Sequence, residues 1–233
     1  MTSDEVHALL EQHRDERGIR SWQARYSDSP LRTFGIGLTR LRKLAKQIGR
    51  DHALSQQLWT SSVYDAKVVA LLIDEPKRIT RAQAEAQVEQ LQGGMLAHVF
   101  SSCDASLAKA PFVQDLAESW MASDDPVRQR CGYGLAYELS KSTKKSAPDD
   151  AWFAGWIAHI DATRDSVDVD TRLSMASALM GIGKRSAALN AQALVVARAI
   201  GPVDWDTSGN CDPFDVVKHL DNDRLRKKLG ISA

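Results

Sequence analysis

Apolar residues recur along nearly the whole chain at three- and four-residue spacing, the period of helices that turn one face to a core. Val6, Leu9, Leu10 and His13 share such a face behind Ser3-Asp4-Glu5, whose side chains suit a helix start, and Gly18 reads as the stop. SDSPLRTFGIG, with Pro30, Gly35 and Gly37, reads as a turn and a short helix. Thr39 is the expected cap of RLRKLAKQIG, with Leu41, Leu44, Ala45 and Ile48 as the apolar face and Gly49 as the stop. His52 to Trp59, VYDAKVVALLID, a Thr80-capped RAQAEAQVEQLQGG and FVQDLAESWMAS behind Pro111 continue the pattern. After a Ser/Lys linker from Ser140 to Pro148 come DDAWFAGWIAHI, TRLSMASALMGIGKR, SAALNAQALVVARAI and an Asp-rich last segment ending in DRLRKKLG. Strand alternation and hairpin turns are missing. Helices joined by short turns fit a bundle or a solenoid, and successive pairs every forty or so residues (about the HEAT spacing) read as HEAT-like units. Such a stack curves, and its concave side suits an elongated partner.

The stretch from Met95 to Tyr137 gathers the chemistry. MLAHVFSSCDASLAKA reads as one helix with Met95, Val99, Phe100, Cys103 and Leu107 as its stripe. Asp104 comes four residues after Phe100, so carboxylate and ring are expected one turn apart on the same side, facing a cleft. In DDPVRQRCGYGLAYELSK, Asp125 suits a cap and Pro126 a first helical turn, with Arg128 and Arg130 inside the helix. On residue type alone, Asp104 reads first as a carboxylate on a helix shoulder, paired with Arg128 or Arg130.

Charge narrows the partner classes. Among 233 residues, 43% of them hydrophobic, thirty Lys+Arg balance thirty Asp+Glu, so net charge alone does not mark a polyanion binder. The balance is uneven: Arg14 to Arg50 holds ten Lys/Arg against three Asp/Glu. Arg40, Arg42, Lys43 and Lys46 fall within two turns, and Lys184-Arg185 begin a later helix; both groups suit phosphate contact, with a solvated helix face as the plain alternative. Cys103, Cys131 and Cys211 are too scattered for a disulfide framework or a CxxC pair, which points to a reducing cytoplasm. The acidic, amphipathic start MTSDEVHALLEQHRDE lacks the form of a signal peptide, and no segment reaches the roughly 20 apolar residues of a membrane span. Asp204, Asp206, Ser208, Gly209 and Asp215 match part of an EF-hand count, but position twelve is Asp rather than Glu and Pro213 interrupts the loop, which favours a capped loop over a calcium site. His7, His13, His52, His98, His159 and His219 show no metal-ligand spacing, so no metal and no cofactor are expected. Trp59, Trp120, Trp152 and Trp156 occupy helical apolar positions and read as core.

FGIGLTRLRKLAKQIGRDHALSQQLW and DAKVVALLIDEPKRIT, with FSSCDASLAK, SDDPVRQRCGYGLA and ALMGIGKRSAALNAQAL further on, resemble the AlkD-type family of DNA alkylation repair proteins over most of the chain. The resemblance implies an all-α fold, a right-handed superhelical stack of HEAT-like repeats, with residues 1–233 as a single solenoid domain. It also implies a monomer whose concave basic surface holds double-stranded DNA, and in glycosylase members the excision of positively charged N-alkylated purines. The family's catalytic Asp falls on Asp104, its Trp four residues earlier on Phe100 and its cleft Arg on Arg130. A second cleft Trp falls near Ser177, where this chain has no aromatic. Arg40, Arg42, Lys43, Lys46, Arg128, Lys184 and Arg185 are the expected DNA contacts.

The chemistry of that site follows from charge. An N-alkylated purine is a cationic leaving group, and a fixed carboxylate stabilises the oxocarbenium-like sugar left behind or supplies its water. Nearby rings attract the cationic base by cation–π contact, worth about 0.5–2 kcal/mol each, and Phe does so more weakly than Trp. The function expected is DNA binding with glycosylase chemistry. A DNA-binding relative without turnover and a helical-repeat scaffold for protein partners are the alternatives.

Overall fold

A computed structural model describes residues 1–91, 93–204 and 212–231. The described residues are helical, and their only strand-like pairs are two isolated bridges, Arg32 with Val63 and Val203 with Phe214. None of these helices is long and apolar enough to cross a membrane. Two compact units divide the chain, Met1–Val113 and Gln114–Ala233, and each has its own core.

The first unit holds α1 (Ser3–Glu11), α2 (Glu16–Arg25), α3 (Leu38–Ile48), α4 (His52–Trp59), α5 (Tyr64–Ile73), α6 (Arg81–Val88) and α7 (Leu96–Ser101), followed by a 3-10 turn at Leu107–Lys109. α5 is the axis. Ala66, Val68, Val69, Ala70, Leu71 and Ile73 are buried all round it, as a helix needs when neighbours cover every side, and α1, α3, α4 and α7 pack on it. Its two buried charges are both committed. Asp65 accepts from Thr33 Oγ1 at 2.7 Å and from the backbone N–H groups of Phe34 at 2.7 Å and Ile36 at 3.0 Å, which fixes the loop ahead of α3. Lys67 donates to the Trp59 carbonyl and sits 4.4 Å from the Trp59 ring centroid; burial lowers its pKa.

Helix starts follow the polar punctuation with small offsets. Thr2, rather than Ser3, caps α1 in a reciprocal box with Glu5. α3 begins at Leu38 behind Gly37, which puts Thr39 inside the first turn. Thr80 and Asp125 cap as expected. No helix forms within SDSPLRTFGIG. Gly18 does not end α1, which stops at Glu11; it lies inside α2, where any Cβ would overlap the Gly35 carbonyl. Gly35, at φ 74°, is pressed in turn against the Asp15 carbonyl. Backbone contact, not a helix stop, requires both glycines.

The second unit holds α8 (Val113–Met121), α9 (Pro126–Ser140), α10 (Asp150–Thr163), α11 (Val169–Ile182), α12 (Ala187–Ile200), α13 (Val216–Leu220) and α14 (Asp223–Leu229). α9 lies along α11 and α10 along α12, and Trp120, Tyr133, Leu135, Phe153, Met175 and Leu179 fill the space between helices. Trp59 and Trp120 are core residues, whereas Trp152 and Trp156 are only half-buried.

Candidate nucleic-acid interface

Asp104 is not on a helix. α7 ends at Ser101, and Cys103 (φ 58°) and Asp104 (φ 65°) follow in the left-handed region, the only two described non-glycine residues with positive φ. Conformations of this kind cost of order 1–3 kcal/mol each and persist where the surroundings over-determine them. The reason for the break is Phe100, which is fully buried. A helix continued for another turn would set Asp104 above that ring and carry its charge toward the core. Turning left instead sends the carboxylate into solvent, where its side chain is 67% exposed. This corrects two expectations: Asp104 does not share a helical face with Phe100, and Phe100 is core packing rather than a wall of a cleft.

The turn is held from two sides. Ser106 donates its N–H to the Leu71 carbonyl at 3.1 Å and its hydroxyl to the Asp74 carbonyl at 2.6 Å. Arg50 donates to the carbonyls of Leu72 (3.0 Å) and Asp74 (2.6 Å) and to the Ser106 hydroxyl, tying the turn to the end of α5. From α3, Arg42 places Nη2 at 2.8 Å from Asp104 Oδ2 and Nε at 3.3 Å from the Cys103 carbonyl. Within the first unit, the partner of Asp104 is therefore Arg42.

Around this pair lies a cleft of about 520 Å³ lined by Arg42, Ala45, Lys46, Gly49, Arg50, Leu72, Asp104 and Lys109. Four cations and one carboxylate supply its charge. α3 delivers the first two because Leu41, Leu44 and Ala45 face the core, which leaves Arg42, Lys46, Lys43 and Arg40 spread over the opposite arc at about 100° per residue. Arg40, Arg42, Lys43 and Lys46 are all exposed. Arg50 and Lys109 were not among the expected contacts. Arg50 stands just past the helix stop, and Lys109 in a stretch read as the end of a longer helix, so neither fell on a face that periodicity could mark.

The candidates in the second unit are differently placed. Arg130 Nη1 lies 2.8 Å from Asp170 Oδ2, and its Nε donates to the Pro126 carbonyl at 3.2 Å. Arg128, half-buried in the first turn of α9, donates its backbone N–H to Asp125. Arg185 is a structural residue: its guanidinium donates to the carbonyls of Ser140 (2.9 Å), Ser142 (3.2 Å) and Pro148 (3.4 Å), and it lies 4.4 Å over the Phe153 ring. Its expected role is a phosphate contact; in this structure its guanidinium is engaged by the loop that it closes. Lys184 is half-buried, and burial first, then the nearby Lys228 charge, lowers its pKa. Ser177 is half-buried in α11.

Among the described residues no group of three or more His, Cys, Asp or Glu could hold a metal ion. Most of the EF-hand-like count, Asp206, Ser208 and Gly209, lies outside the described residues, and Asp215 caps α13 by accepting from the Val217 N–H at 3.0 Å.

Comparison with known proteins bears on this arrangement. The family described as DNA alkylation repair enzyme matches residues 6–200. None of the curated proteins compared with the chain matches it. A solved structure described as a new family of proteins related to the HEAT-like repeat DNA glycosylases, with affinity for branched DNA structures, superposes with a TM-score of 0.82. The match covers 100% of this chain and 97% of the other at 20% identity. At that identity the likeness establishes the fold, an all-α HEAT-like repeat architecture.

Proposed function

Since this chain belongs to the DNA alkylation repair family, we propose that it binds double-stranded DNA by its phosphates, through the cationic arc of α3 and the cleft at Asp104. The observation that carries this reading is the lining of that cleft, where Arg42, Lys46 and Lys109, with Arg50 adding its charge from the turn that it holds, surround a single exposed carboxylate. Phosphate contacts release counterions, so affinity should fall steeply as salt rises. Phosphate contacts do not read base identity, and binding should depend on DNA shape more than on sequence. Fluorescence anisotropy with a labelled duplex at about 50 mM and 200 mM salt tests the proposal. Micromolar or tighter binding at the lower salt, weakened at the higher, is the expected result; no binding at the lower salt overturns it. A four-way junction belongs in the same titration, because the protein of the solved structure is described as having affinity for branched DNA.

A second reading adds chemistry, and the exposure of Asp104 favours it. A carboxylate fixed in a left-handed turn at the mouth of a cationic cleft is available to the anomeric carbon of a nucleotide whose phosphates sit on the surrounding cations. It would stabilise the sugar cation formed as an N-alkylated purine departs. With Phe100 buried and Ser177 in place of an aromatic, no ring from those positions assists, and excision should be slow. Single-turnover base release from methylated duplex, by wild type and by Asp104→Asn, decides the matter. A loss of about a hundredfold or more in the variant is expected for a catalytic carboxylate; no release by either protein leaves binding as the function.

A further inference from the structure

In the same stretch of chain that carries Asp104, three side chains form a second chemical unit. Cys103 Sγ lies 3.0 Å from His98 Nε2, His98 Nδ1 lies 3.2 Å from Ser102 Oγ, and Ser102 Oγ lies 2.5 Å from the His98 carbonyl oxygen. Residues five apart on a regular helix do not face each other. The left-handed backbone at Cys103 is what folds the sulfur back over the last turn of α7 onto the ring.

Proton positions in this unit follow from the acceptors. The His98 carbonyl has no proton, so its short contact with Ser102 takes the hydroxyl proton of Ser102. Ser102 Oγ is then an acceptor toward the ring, and Nδ1 carries the ring proton. The opposite tautomer would need the same hydroxyl proton at Nδ1 and would leave two oxygens 2.5 Å apart with none between them. With Nδ1 protonated, Nε2 presents its lone pair to the Cys103 thiol. This is a nucleophile, a base and a group that orients the base. His98 is exposed and Cys103 half-buried, so a small reagent reaches both.

We propose that Cys103 is a nucleophilic thiol and a site of S-alkylation by soft carbon electrophiles, namely alkyl halides and other alkyl donors with a good leaving group. In the step, the sulfur forms a bond to the electrophilic carbon as the carbon–leaving-group bond breaks and its electron pair departs with the leaving group. The thiol proton passes to His98 Nε2 and then to solvent. The product is a thioether, and neither oxidant nor cofactor enters the balance. Nothing in this step requires DNA in the neighbouring cleft, so it stands or falls apart from the binding proposal.

The test uses the full-length chain without DNA and iodoacetamide as the electrophile, with the rate of Cys103 labelling read by peptide mass at pH 7. The folded protein should label Cys103 at least tenfold faster than the same chain unfolded in urea, reversing the protection that folding gives an ordinary half-buried thiol. His98→Asn retains a polar atom near Ser102 but offers no base to the sulfur, and it should bring the folded rate down to the unfolded rate or below. His98→Gln serves as a second variant if the first does not fold. Folded and unfolded rates that are equal, or a folded His98 variant that labels as fast as wild type, overturn the proposal.

Discussion

Arg42 of the first unit and Arg185 of the second are equal in formal charge and unequal in availability. In the first unit, Arg42 binds an exposed carboxylate and a carbonyl at the edge of an open cleft, with its own side chain 42% exposed. In the second, Arg185 is spread over three backbone carbonyls, the face of Phe153 and, at 3.5 Å, the carboxylate of Asp150, with its own side chain 19% exposed. Arg185 has most of its donors taken by the loop that it closes, as Arg50 has in the first unit, and neither is a ready phosphate ligand. A cation whose partner is a solvated carboxylate exchanges it at little cost, because exposed ion pairs are worth only about 0–1 kcal/mol. A surface is therefore read by what each cation already does, and not by the number of cations in a stretch.

The largest effect should come from breaking the committed arginine. Arg185→Ala removes three charge-assisted hydrogen bonds to carbonyls, a long ion pair with Asp150 and a cation–π contact, and it leaves the 140–148 connection without its clamp. Hydrogen bonds to a charged group contribute about 1.5–3 kcal/mol each, but they do not add fully. We expect a loss of about 3 kcal/mol, seen as a fall in Tm of roughly 6–12 °C. DNA affinity of the folded variant should stay within about twofold of wild type, because no phosphate contact is lost. A stable variant with weakened DNA binding would reverse the assignment.

The next effect sharpens the contrast from the other side. Arg42→Glu with Lys46→Glu reverses two charges in the cleft, and duplex affinity at low salt should fall about tenfold or more, equally for every sequence, with the salt slope reduced by about two. Arg130→Glu, which meets Asp170 in the second unit, should change the anisotropy titration less. A larger loss from Arg130→Glu would shift the phosphate-binding surface to the second unit.

Part of this was legible in the amino-acid order. The unbroken apolar run of VVALLI marks α5 as a central helix, and Thr80 and Asp125 announce the starts of α6 and α9, because apolar period and capping are local properties. The break after Ser101 was hidden by its own pattern. Cys103 and Leu107 continue the apolar spacing of Val99 and Phe100, so the stripe gives no hint that a buried ring and a charge one turn later conflict. The Arg42–Asp104 pair joins residues 62 apart, and the hold of Arg185 on its loop uses backbone acceptors, which carry no residue-type signature. Gly18 differs from its expected role as a helix stop for a similar reason: its need is a tertiary contact with Gly35, while glycine beside a helix ordinarily signals an end.

The smallest effect tests the exposed pair itself. With side chains 42% and 67% exposed, Arg42 and Asp104 gain little from each other in water, and Asp104→Asn should change stability by no more than about 1 kcal/mol. The pair still competes with DNA. To take a phosphate in the same geometry, Arg42 must release Oδ2 of Asp104, and any phosphate entering the cleft also meets the carboxylate at close range. Asparagine keeps the size and tolerates the left-handed backbone at this position, but it removes the negative charge and frees the guanidinium. Duplex affinity should therefore rise, by about two- to fivefold at low salt, and the gain should shrink as salt screens the repulsion. The same anisotropy titration reads it. A loss of affinity in Asp104→Asn would mean that the carboxylate holds Arg42 in its binding position, and that the pair acts on DNA as one unit instead of as rivals.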